Sequence, residues 1–139
     1  WEAAVEALGK QGIGLFVFIV LGLPGETKAS LAKTRRFVEE LLDTGYVNAV
    51  LAAPMWVVPG SPVYELLLHS LTAEERQEGF SESEDWADPI WLQQKWMEKF
   101  TDFSRDEIVE QVQRIMELSV QKSTLGATST LLEVNKHKR

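Results

Sequence analysis

Two apolar runs set the pattern of the chain: IGLFVFIVLGL at 13–23 and VNAVLAAPM at 47–55. The first spans eleven residues, short of the roughly 20 that cross a bilayer. Its Val, Ile and Phe content and its unbroken apolarity predict a strand at 14–21 buried on both faces. Between the runs, Leu31, Val38, Leu41 and Leu42 recur at helical spacing with Phe37 beside them, while Lys28, Lys33, Arg35, Arg36 and Glu39 fall on the other side. This predicts an amphipathic helix over 28–43, with Thr27 as its N-cap. Strand, helix and strand with short joints make a βαβ unit, which is expected to be parallel with a right-handed crossover.

Before and after this unit the periodicity is helical. Residues 2–9 read as the last turns of a helix. Ser61 followed by Pro62 starts a helix carrying Tyr64, Leu66, Leu67 and Leu68, because proline at the first helical position loses no hydrogen bond. Thr72 and Glu75 form a capping box for a short helix ending at Gly79, and Asp88-Pro89 opens another at 89–100 with Trp91, Trp96, Met97 and Phe100. Ser104 and Glu107 form a second capping box, with Phe103 and Ile108 placed as a hydrophobic staple. The stripe of that last helix is Ile108, Val112, Ile115, Met116 and Ser119. The division expected is an α/β part at 1–71, a helical extension at 72–122 and a flexible tail at 123–139.

Composition narrows the chemistry. The net charge is −7, which argues against nucleic acid or an anionic membrane as partner, since both need a basic field. There is no cysteine, and the two histidines, His69 and His137, are far apart. Disulfides, thiolate metal sites and cysteine nucleophiles are therefore excluded for this chain. The sequence opens at Trp1 as if already inside a helix, and its first residues do not read as a signal peptide. The expectation is a cytoplasmic protein of which this chain is a piece.

In a parallel sheet both strands end on the same edge, where ligands bind. The turns at 22–27, GLPGET, and 54–61, PMWVVPGS, are thus expected side by side. Glycine-rich turns let backbone groups approach a ligand, and the N-terminus of the following helix adds a positive dipole end. The same glycines also read as purely structural, chosen for their backbone angles.

Residues 12–27 and 54–64 resemble the last two βα units of the radical S-adenosylmethionine (SAM) core. In that family a strand ends in Gly-Leu-Pro-Gly-Glu-Thr, a helix follows, and the next strand closes with Pro-Gly-Thr/Ser-Pro-Leu/Val-Tyr. Here these read GLPGET at 22–27 and PGSPVY at 59–64, one helix apart, and the likeness covers roughly 1–68. The resemblance implies an α/β fold: the C-terminal βα units of a partial (βα)6 barrel, followed by the helical extension. It implies a parent enzyme in which a CxxxCxxC loop, absent here, binds a [4Fe-4S] cluster that cleaves SAM to a 5′-deoxyadenosyl radical. The cofactor-binding residues it implies are Val20, Gly22, Gly25 and Glu26 after the first strand, and Ala53 and Met55 within the stretch from Ala52 that ends the second. No catalytic or metal-binding residue is carried over. Two departures stand: Phe18 occupies the place of a glycine in the family's Gly-x-Ile-x-Gly-x-x-Glu segment, and Glu26 follows Gly22 by four residues instead of three. The region after 68 resembles the branch with an N-terminal cobalamin-binding domain, which includes anaerobic magnesium-protoporphyrin monomethyl ester oxidative cyclases, so cobalamin enters as a further cofactor of the parent. The implied partners are the remainder of the barrel and a small-molecule substrate. The alternative from another class is a small non-catalytic α/β interaction or scaffold module.

The remaining features have plainer readings. Trp91 and Trp96 lie on one helix but not on one face, which favours packing over ligand stacking. Glu82, Glu84, Asp85 and Asp88 read as a solvated acidic loop, because no turn glycine follows Gly79 there. A two-stranded parallel unit leaves an apolar edge, so the isolated chain is expected to self-associate, a dimer being favoured by symmetry.

Overall fold

The computed structural model describes residues 1–80 and 87–122. Glu82, Glu84, Asp85, Trp86 and the tail from 123 lie outside the described residues. Among the described residues eight elements follow one another: α1 (Glu2–Lys10), β1 (Leu15–Leu21), α2 (Lys28–Asp43), β2 (Val47–Pro54), α3 (Pro62–Ser70), α4 (Ala73–Gly79), α5 (Pro89–Phe100) and α6 (Arg105–Lys122). Among the described residues no helix is long and apolar enough to cross a membrane.

The helix starts follow from their caps. The Thr27 hydroxyl accepts from Ser30 N–H while the Ser30 hydroxyl accepts from Thr27 N–H, so two orphan donors of α2 are satisfied reciprocally. Thr72 and Glu75 do the same for α4. Asp88 accepts from Ile90 and Trp91 N–H at the head of α5. At α6, Ser104 and Glu107 exchange bonds of 2.8 and 3.2 Å, and Phe103 and Ile108 are both buried as the staple requires. Leu31, Val38, Leu41 and Leu42 of α2 are all buried. In α3 only Tyr64 and Leu67 are buried, and Leu66 faces solvent.

β1 and β2 pair in parallel, from Phe16 opposite Ala49 to Leu21 opposite Pro54. The α/β class holds, with a sheet of two strands among the described residues. One face of the sheet meets the core: Leu15, Val17, Ile19 and Leu21 of β1 and Val47 and Val50 of β2. The expectation that β1 is buried on both faces is overturned. Phe16 and Phe18 are each 63% exposed, and Leu51, the partner of Phe18, is 40% exposed. Side chains alternate across a strand, and among the described residues no second layer covers the face to which these three belong.

The two outer edges of the sheet differ. Met55 N–H donates to Leu21 C=O at 2.7 Å, so strand alternation turns the N–H groups of Val50 and Ala52 away from β1. There α6 receives them: Val50 N–H donates to Ser119 Oγ at 2.8 Å and Ala52 N–H to Met116 Sδ at 3.2 Å. Pro54 has no N–H to satisfy. The outer edge of β1 bears the peptide groups of Phe16, Phe18 and Val20, and no described strand pairs with it.

Candidate functional site

β1 and β2 run in parallel, so their C-terminal turns share one edge, as the pattern predicts. Gly22 leaves β1 with φ of +85° and Gly25 closes the turn with φ of +76°. Side chains rarely adopt such angles, which explains glycine at both places. Glu26 N–H donates to Leu23 C=O at 3.0 Å, closing a β-turn. The Glu26 carboxylate then reaches back to accept from Gly22 N–H at 2.5 Å. The Glu26 side chain thus braces the turn.

The candidate residues fall into two groups. Gly22, Glu26 and Met55 gather at the strand ends: Gly22 is buried, Glu26 and Met55 half-buried. Val20 and Ala53 are register partners on the uncovered face, in line with Phe18 and Leu51. Gly25 stands apart on the outer side of the turn, exposed, with open space where a side chain would project.

Helix α5 lies across the first group. Trp96 Nε1 donates to Gly22 C=O at 2.8 Å, and its ring stacks on Phe100 at 4.4 Å between centroids. Gln93 Nε2 donates to Met55 C=O at 2.9 Å. Gly25 N–H donates to Phe100 C=O at 2.7 Å, and Asp102 N–H to Glu26 C=O at 3.1 Å. The Met97 thioether packs where a Gly22 side chain would stand. Backbone groups expected to face a ligand are therefore met by the chain itself. Trp96 and Met97 are fully buried, and for Trp96 this is in keeping with the packing role expected of the tryptophans.

Gln93 and Arg105 carry much of this arrangement, and no sequence motif singles them out. The available signal is spacing: Gln93, Trp96 and Met97 stand three and four residues apart on one helical face. Among the described residues no group of three His, Asp or Glu side chains is placed to hold a metal. Two surface grooves among the described residues lie elsewhere. One of about 470 Å³ is lined by Trp1, Glu2, Glu6, Glu40, Asp43 and Tyr46, and one of about 280 Å³ lies between α2 and α6. Beside the strand-end turns, the uncovered face of the sheet is an apolar surface made by Phe16, Phe18, Val20, Leu51 and Ala53. No protein-family model, curated protein or solved structure matches the chain.

Proposed function

We propose that the chain is the C-terminal part of the barrel of a radical SAM enzyme, cytoplasmic, acting on a small molecule. The observation that carries the reading is the asymmetry of the sheet. One outer edge is closed by α6, no described strand pairs with the other, and the uncovered face shared by both strands is apolar and lies beside two Gly/Pro turns. An arc of a parallel barrel ending at β2 would have this form. Its open face fits the adenine of SAM: Val20 and Ala53 would hold the flat base, and Gly22, Gly25, Glu26 and Met55 would shape the rim. A [4Fe-4S] cluster does not fit this chain, which has no cysteine. The cluster ligands and the cobalamin-binding domain of the resembling branch belong outside it, and the chain alone is not catalytic.

Anaerobic iron–sulfide reconstitution with SAM titration tests this. The isolated chain should assemble no cluster and bind SAM more weakly than about 1 mM. In the parent enzyme, Ala53→Trp should weaken SAM binding at least roughly tenfold by filling the adenine face, an effect of about 1.4 kcal/mol. SAM cleavage by the isolated chain, or unchanged affinity in Ala53→Trp, refutes the reading. The open β1 edge should also make the isolated chain a dimer. Light scattering that finds a monomer at every concentration tested would show that the chain covers its own edge.

One observation favours the second reading, a non-catalytic α/β interaction module. The strand-end carbonyls of Gly22 and Met55 already have partners in Trp96 and Gln93. SAM affinity of the parent separates the two.

A further inference from the structure

Helix α5 touches the sheet in a selective way. Its two buried donors, Gln93 and Trp96, meet the carbonyls of the residues that follow the two strands, Gly22 and Met55. A three-residue spacing puts both on one helical face. Neither donor is interchangeable with an acceptor. The indole N–H of Trp96 can only donate. The Gln93 amide is oriented by Arg105, whose Nε donates to Gln93 Oε1 at 2.7 Å. A guanidinium has no acceptor, so it selects the oxygen end and leaves the NH2 for Met55 C=O. Gln93 is fully buried, and both ends of its amide are matched. The body of the sheet depends on other contacts: the β1–β2 ladder, and α6 at Val50 and Ala52.

We infer that α5 is a latch on the ligand edge, with Gln93 and Trp96 as positioning residues and Arg105 orienting Gln93. The latch fixes the two turns relative to each other by holding the Gly22 and Met55 carbonyls at one helix face. The inference rests on the proposal that these turns border a ligand. A latch of this kind acts on the turns and leaves the strands as they are.

The full chain in solution tests it by NMR. Gln93→Met keeps a similar volume and removes both hydrogen bonds. It should displace the carbonyl 13C resonance of Met55 and speed amide exchange at Gly25 and Asp102 about tenfold or more, with Val50 and Ala52 unchanged. Trp96→Phe keeps a ring to stack on Phe100 and should displace the carbonyl resonance of Gly22. Arg105→Lys, at a partly exposed position, should move Met55 in the same direction as Gln93→Met and by less. It serves in place of Gln93→Met if that variant does not fold. Uniform acceleration of all four amides would show that these residues merely stabilise the fold, and the inference would fall. Carbonyl resonances that stay in place would overturn it equally. None of these readouts involves SAM, so the latch and the SAM proposal fail separately.

Discussion

The outer edges of β1 and β2 belong to the same two-stranded sheet and are treated in opposite ways. At β2, helix α6 supplies a hydroxyl and a thioether to the outward N–H groups of Val50 and Ala52, and buries Ile108, Ile115 and Ser119. At β1, no described strand pairs outward, and Phe16 and Phe18 stand mostly in solvent. An unpaired strand edge is a template for another chain, and proteins usually cover or charge it. The difference teaches that the sheet is terminated on one side only. Growth past β2 is blocked by side chains, whereas no described strand pairs past β1.

Mutations on the closed side should cost most. Ile115→Ala removes a buried side chain of α6, and should destabilise the chain by about 2–5 kcal/mol in denaturant unfolding. A cost below about 1 kcal/mol would mean that α6 does not close the sheet as described. Gly22→Ala combines a left-handed backbone angle with a clash against the Met97 thioether, so it should cost about 1–3 kcal/mol and more than Gly25→Ala, which has open space around it. Equal costs at the two glycines would show that Met97 yields freely. Ser119→Ala strands the buried N–H of Val50, for an expected loss of about 1–3 kcal/mol and faster exchange at that amide alone.

Acid should loosen the closed side by a smaller amount. Ser104 N–H, bonding to the Glu107 carboxylate at the head of α6, holds its pKa below the usual 4.5. A depressed folded pKa means that the charged form favours folding. The contribution is present above the usual value and is lost as pH falls through the depressed one. Glu75 behaves alike at α4, where Thr72 N–H and then Lys99 lower its pKa. Glu107→Gln should flatten the acid arm of a Tm-versus-pH curve slightly, and an unchanged arm would refute the linkage. The smallest effect belongs to the open side. Phe18→Ser should leave unfolding within about 0.5 kcal/mol, because the ring is mostly exposed. It should also weaken concentration-dependent scattering, and association unchanged by it would move the contact away from the uncovered face.

The contrast between the edges was only half legible in the pattern of residues. The run at 14–21 reads as a strand, but its apolarity is equally suited to a buried layer and to a face that awaits one. The two Phe side chains fit a buried layer, and the structure leaves them mostly exposed. The α6 stripe was readable, including Ser119 at a core-facing position, while its bond to Val50 was not. The turn glycines were readable as well. Helix α5 was readable as a helix on which tryptophan packs, whereas Gln93 looks like any polar residue of a solvated face.

The sequence by itself determined the elements. Thr27, Ser61, Thr72, Asp88 and Ser104 cap helices through bonds that span two or three residues, and the stripe of α2 follows from helical period alone. The parallel pairing of the strands followed as well, since strands on either side of one helix need a crossover. Only the tertiary structure decided which edge α6 closes and which turns α5 holds. Those contacts join Val50 to Ser119, Gly22 to Trp96 and Met55 to Gln93 across 69, 74 and 38 residues. In each, one partner is a backbone N–H or C=O. Every non-proline residue carries the same pair of groups, so nothing in the identity of Val50, Gly22 or Met55 marks it as the one to be met. That choice is made by the packing that brings the helices against the sheet.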